Sequence, residues 1–152
     1  PFNKTAPTAS NIVLGTDGSV NGSSDTYVCY AFAEIQGYSK FGSYTGNGNA
    51  DGPFVYTGFK PAWLMIKPSN NVSNWFMIDS TREPINPAGN KFLYADSTSA
   101  EVSSAKNLDL LSNGFKPRAA TGFHNDNNIN YIYMAFAEHP FVSSKGVPTT
   151  AR

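Results

Sequence analysis

Tyr27-Val28-Cys29-Tyr30-Ala31-Phe32-Ala33-Glu34 and Tyr131-Ile132-Tyr133-Met134-Ala135-Phe136-Ala137-Glu138 are near-copies of one segment, and an offset of 104 residues carries the first onto the second. Aromatic and β-branched side chains of this kind fit a pleated surface. In the first copy Val28, Tyr30 and Phe32 share one face, while Tyr27, Cys29, Ala31 and Ala33 share the other. Both faces are apolar, which is what a strand in the middle of a sheet covered on both sides requires. The two segments therefore predict two central strands, Tyr27–Ala33 and Tyr131–Ala137.

The repeat extends beyond the strand. Without a gap, Gly18 meets Gly122 and Asn21 meets Asn125, and a second short match sets Gly58-Phe59-Lys60-Pro61 against Gly114-Phe115-Lys116-Pro117. Residues 11–34 look like the closing hairpin of a preceding copy of one domain. The chain is then the last repeat of an array plus the tail of its predecessor, or the duplicated strand completes a single sandwich. With 152 residues present, the single sandwich using both copies is the expectation. The chain begins at Pro1 and is read as processed or cut from something longer.

Composition supports sheets throughout. The chain holds 16 Asn, 16 Ser, 13 Gly and 10 Pro, residues that form turns for distinct backbone reasons. Leu, Glu, Lys and Arg, the good helix formers, are scarce. The fold class read from these residues is all-β, a two-sheet antiparallel sandwich with at most one short helix. Further strands are expected at Ile12–Leu14, Phe54–Tyr56, Ala62–Lys67, Trp75–Asp79, Lys91–Ala95 and Phe115–Ala119. Residues 98–111 hold the one plausible short helix, although Leu108, Leu110 and Leu111 equally fit a strand. Gly37–Gly52 reads as a Gly- and Asn-punctuated stretch. Residues 1–10 read as an extended arm, 11–141 as the single domain and 142–152 as a polar tail.

Charge excludes several functions. Eleven Lys and Arg balance eleven Asp and Glu, and only 14% of residues are charged. Such a chain has no general pull toward nucleic acid or an anionic membrane. No apolar run approaches a bilayer span, so membrane insertion is not expected. The single Cys29 excludes an internal disulfide framework and a Cys-based zinc site, and Cys29 itself reads as a small core residue. No metal or other cofactor is expected.

Four arrangements could carry chemistry. The repeated carboxylates Glu34 and Glu138, if on neighbouring strands, could serve as the acid and base of a glycan hydrolase, but each can equally end its strand facing solvent. Asn47, Asn49 and Asp51 have the oxygen spacing that opens a calcium loop, yet the twelfth position is Gly58, without a carboxylate. A Gly/Asn turn explains them as well. His124 and His139 have no Gly-x-Ser-x-Gly nucleophile elbow to serve. Exposed aromatics beside Asn and Asp are the usual means of stacking and hydrogen-bonding a sugar, and Tyr38 and Tyr44, in the Gly-rich stretch, are the aromatics expected to be exposed. The candidate glycan-binding set is therefore Tyr38, Tyr44, Asn47, Asn49 and Asp51 together with His124, Asn125 and Asp126, and no catalytic residue is assigned.

The stretches Gly37-Tyr38-Ser39-Lys40-Phe41-Gly42-Ser43-Tyr44-Thr45-Gly46-Asn47-Gly48 and Gly52-Pro53-Phe54-Val55-Tyr56-Thr57-Gly58-Phe59-Lys60-Pro61-Ala62-Trp63, with both YxxxAFAE segments and Leu111-Ser112-Asn113-Gly114-Phe115-Lys116, resemble an uncharacterised domain of tailed-bacteriophage structural and tail-fibre-like proteins. The resemblance covers about residues 20–142. It implies a lectin-like, concanavalin-type or jelly-roll β-sandwich on the virion exterior, as capsid decoration, fibre or spike. It also implies other virion proteins and further copies of the chain as partners, and a host-surface glycan as a ligand. It supplies no catalytic residues. A non-enzymatic structural role, with carbohydrate recognition as the alternative and a glycan hydrolase behind both, is the functional expectation.

Overall fold

In the computed structural model of the chain, residues 5–82, 89–105, 108–120 and 124–140 are described, with the backbone alone described at 89–90 and 104–105. The expected tail at 142–152 lies outside them, as do the first four residues of the expected arm. The chain forms two compact units, Pro1–Phe32 and Ala33–Arg152.

The second unit is an antiparallel β-sandwich with nine strands among the described residues: β1 Ser39–Thr45, β2 Val55–Tyr56, β3 Pro61–Pro68, β4 Phe76–Asp79, β5 Gly89–Tyr94, β6 Val102–Ala105, β7 Leu108–Leu111, β8 Gly114–Pro117 and β9 Asn130–Ala137. Six of them form one sheet in the order β1-β9-β3-β4-β5-β6, and three form the other in the order β2-β8-β7. The last strand in sequence thus lies between the first and the third. Tyr44 pairs with Tyr131 and Gly42 with Tyr133 on one side of β9, while Leu64 pairs with Ala135 and Ile66 with Tyr133 on the other.

Alternation along the strands sets the core. On β9 Tyr131, Tyr133 and Ala135 are buried, on β3 Leu64 and Ile66, and on β4 Phe76 and Ile78. The smaller sheet closes over them with Val55, Leu108 and Phe115. The Phe115 ring meets Tyr44 at 5.6 Å and Tyr133 at 5.2 Å, both edge to face, the geometry that aromatic quadrupoles favour. Gly42 makes the seat for Tyr133, since a Cβ on it would lie 2.9 Å from that ring. The opposite face of the six-stranded sheet is also apolar. Phe41, Met134, Met65, Met77 and Leu93 form one row across five strands, all half-buried. β9 therefore has the two-faced apolar character its sequence predicts.

Its near-copy behaves differently. Residues 27–34 form no strand, and Tyr27 is 43% exposed, against 1% for its counterpart Tyr131. The single sandwich using both copies is thus corrected: one copy of the segment builds it. A strand needs neighbours to take its backbone N–H and C=O groups, and the slot between β1 and β3 is filled by β9. Ile12–Leu14 likewise forms no strand, and Cys29 is exposed where a core residue is expected.

Two further differences are local. Gly37–Gly52, read as punctuation, contains the whole of β1, because its Gly42 is a packing residue. The helix considered within 98–111 is replaced by β6 and β7, and the one helix among the described residues is the four-residue α1, Gly18–Asn21. Asp17 caps it by accepting a 2.8 Å bond from the Ser19 N–H, a standard use of Asp at a helix start.

Candidate functional site

Seven of the eight residues singled out from the sequence converge at one end of the sandwich, where the loop after β1 meets the loop before β9. The two loops are laced by backbone bonds: Gly46 N–H to Ile129 O at 2.8 Å, Asn128 N–H to Gly46 O at 3.0 Å and Gly48 N–H to Asn125 O at 3.0 Å. A Cβ on Gly46 would lie 2.3 Å from the Asp126 carbonyl oxygen, so only glycine permits this approach.

Asn125 is the keystone. It is fully buried, and its Nδ2 donates to Asn49 O at 2.7 Å, to Ala119 O at 2.7 Å and more weakly to Asn47 Oδ1 at 3.2 Å. Its Oδ1 accepts from the Asn47 N–H at 3.0 Å. The spacing Asn47-x-Asn49-x-Asp51, reminiscent of a cation loop, is a ladder of side chain-to-backbone turns. Asn47 Oδ1 accepts from Asn49 N–H at 3.0 Å, Asn49 Oδ1 accepts from Asp51 N–H at 2.9 Å, and Asn47 Nδ2 donates to Asp51 O at 3.0 Å. Such local bonds are what Asn and Asp do in turns.

Asp51 is exposed and pairs with Lys116 at 2.7 Å and Arg118 at 3.4 Å. The hydrogen bond from Lys116, reinforced by its charge, holds the Asp51 carboxyl below the ordinary aspartate range. Arg118 also binds the buried Asp109 at 2.6 Å. His124 is 1% exposed and packs its ring 5.2 Å from Phe76. Asp126 donates its backbone N–H to the Tyr131 hydroxyl at 2.9 Å.

Tyr44, expected to be exposed, is partly buried against the core. It stacks on Tyr131 at 5.2 Å and donates its hydroxyl to His124 O at 2.7 Å. Burial, with Tyr131 adding to it, pushes its hydroxyl well above the usual tyrosine range. Tyr38 lies apart from the other seven. It precedes β1 whereas they lie at or beyond the strand's far end, about 20 Å of strand away, and its ring meets Phe136 edge to face at 5.8 Å.

At the Tyr38 end lies a cleft of 480 Å³ lined by Glu34, Gln36, Lys40, Tyr56, Thr57 and neighbouring backbone. Glu34 and Lys40 form a 2.5 Å ion pair there. By accepting that bond, Glu34 holds the Lys40 ammonium above the ordinary lysine range. Tyr56 is 62% exposed. This grouping was not legible in the sequence, because it needs β2 to return beside the turn at Ile35–Ser39. Glu138, the other repeated carboxylate, pairs with Lys60 at 2.6 Å. Among the described residues, no group of three or more His, Cys, Asp or Glu side chains is placed to hold a metal, and no helix is long and apolar enough to cross a membrane.

Fold and site define a small aromatic-rich β-sandwich whose loop end is tied together by its own polar side chains. The chain belongs to the family described as Domain of unknown function (DUF7483), whose model matches residues 1–140. No curated protein and no solved structure matches it.

Proposed function

We propose that the protein is a non-enzymatic structural component of the exterior of a tailed-bacteriophage particle, a decoration, fibre or spike domain that assembles with further copies and with other virion proteins. The observation that carries this reading is the loop end itself. Asn47, Asn49, Asp51 and Asn125 direct their polar groups at each other, at Lys116 and at nearby backbone, the arrangement of a rigid corner. The resemblance of residues 20–142 to phage structural domains supports the particle assignment. Purified particles, analysed by intact mass and gel densitometry and probed with antibody before disruption, test it. The polypeptide is expected in stoichiometric amount and antibody-accessible, and its absence from washed particles defeats the proposal.

A second reading, recognition of a host-surface glycan, is favoured by the cleft, where exposed Tyr56 stands beside Glu34, Gln36, Lys40 and Thr57. An aromatic face beside polar groups offers a sugar both stacking and hydrogen bonds. A glycan array comparing the chain with Tyr56→Ala tests it. Binding lost in the variant supports the reading, and equal signals from both overturn it.

A further inference from the structure

The near-copy at residues 27–34 forms no strand, yet the turn before it is built like the turn before β9, bond for bond. Asn21 Nδ2 donates to Gly15 O at 3.0 Å, and 104 residues later Asn125 Nδ2 donates to Ala119 O at 2.7 Å. The Gly22 N–H donates to the Tyr27 hydroxyl at 2.8 Å, and the Asp126 N–H to the Tyr131 hydroxyl at 2.9 Å. The Asp25 N–H reaches Gly22 O at 3.4 Å, and the Ile129 N–H reaches Asp126 O at 3.2 Å. Two non-glycine residues among those described have positive φ, Ser24 at 68° and Asn128 at 59°, and the same offset relates them. Positive φ is uncommon outside glycine, so its recurrence at matched positions with different side chains reflects a shared turn. The two side chains that make the bonds, Asn and Tyr, are the ones the copies have in common.

What the first copy lacks is the rest of the sandwich. Seven of the thirteen large hydrophobic side chains exposed among the described residues fall between Ile12 and Phe32. An open apolar groove of 420 Å³ runs along Ile12, Val13, Leu14, Cys29 and Tyr30. Cys29 and Ala31 stand where Tyr133 and Ala135 are buried in the second copy. In that copy the other bonds of Asn125 go to the β1–β2 loop.

We propose that residues 15–34 are the closing turn and last strand of a second, upstream copy of this sandwich. The domain is then the unit of a tandem array with a 104-residue period, and residues 27–34 fill the slot between that copy's own first and third strands. The YxxxAFAE segment of the first copy then passes through the turn at Ile35–Ser39 into β1, the first strand of the next copy. Val28, Tyr30 and Phe32 then lie on an outer sheet face equivalent to that of Ile132, Met134 and Phe136. This placement is independent of the function proposed above.

The test is a tandem chain in which residues 35–118 are fused ahead of residues 15–152, which restores a full sandwich around residues 27–34. The readout is labelling of Cys29, the chain's natural thiol, with a maleimide, together with hydrogen exchange at amides 28–33. In the 152-residue chain Cys29 is exposed and is expected to label at the rate of an unfolded thiol. In the tandem both rates are expected to fall roughly 100-fold or more, as for any strand that opens only with its domain. Labelling of Cys29 at an unchanged rate, while the downstream sandwich still unfolds cooperatively, overturns the proposal. A second tandem carrying Val28→Ile, Cys29→Tyr and Tyr30→Met, which makes residues 27–34 identical to 131–138, separates segment from graft. If amides 28–33 are protected only there, the natural segment is not a last strand and the proposal fails.

Discussion

Replacing Asn125 with Ala removes the side chain that ties the β1–β2 loop to the loop before β9. Its two short bonds leave Asn49 O and Ala119 O without their donor, and the Asn47 N–H loses its acceptor. A fully buried orphan costs about 1–3 kcal/mol. Asn47 and Asn49 are exposed and Ala119 half-buried, so water can reach the vacated groups and the low end applies. Three groups at about 1 kcal/mol each give a loss of about 3 kcal/mol. For a chain of this length that is a fall in Tm of about 10 °C. Urea unfolding followed by tryptophan fluorescence and calorimetry measures it. Asn125→Asp sharpens the test, because it keeps the acceptor toward Asn47 but turns the donor into an oxygen facing two carbonyls. At neutral pH it is expected to cost more than Ala. Those carbonyls raise the folded-state pKa of the new carboxyl above its unfolded value, so stability returns as pH falls and the carboxyl becomes a donor. A loss below about 1 kcal/mol for Asn125→Ala, or no pH dependence in Asn125→Asp, refutes the keystone role. Asn21→Ala, which removes one exposed bond, should change the stability of the 152-residue chain by less than about 0.5 kcal/mol.

Phe115→Ala deletes the ring that joins the two sheets and is expected to cost about 3–5 kcal/mol by calorimetry, and a loss near zero would mean the sheets do not share this core. Gly42→Ala drives a Cβ into the Tyr133 ring at 2.9 Å; it should cost about 1–3 kcal/mol and alter the near-ultraviolet circular dichroism, and an unchanged spectrum would contradict the seat. The pKa of Tyr44 is raised in the fold, so its contribution is complete below the unfolded tyrosine value near 10 and is lost as pH climbs from there through the folded value. Stability measured from pH 8 upward should therefore fall beyond about pH 10, less steeply in Tyr44→Phe, and equal slopes for the two chains would remove the argument. Asp51 shifts the opposite way, since Lys116 lowers its pKa. Its contribution is complete above the unfolded aspartate value and fades as pH drops through the lowered one, and Asp51→Asn should abolish that part of the acid dependence in a Tm series.

The sheet character of β9, and of β3 and β4, was legible because alternation and composition are local properties of a strand. So was the turn chemistry of Asn47, Asn49 and Asp51, although their regular spacing looked as much like a cation loop as a turn ladder. Tyr44 was misjudged as exposed because a Gly-rich neighbourhood usually marks surface, whereas here Gly42 clears space for Tyr133 and Tyr44 turns inward to stack on Tyr131. The Glu34–Tyr56 cleft had no local signature, because its walls are brought together only by the return of β2.

The sequence by itself determined that this is an all-β chain with turn-rich loops, and that one eight-residue segment occurs twice. Only the tertiary structure decided which occurrence builds the sandwich. Residues 27–34 and 131–138 have nearly the same intrinsic preference for a strand, but a strand is stable where neighbours accept its hydrogen bonds and cover its faces. β1 and β3 offer one such slot, β9 occupies it, and the segment at 27–34 is left without a sheet.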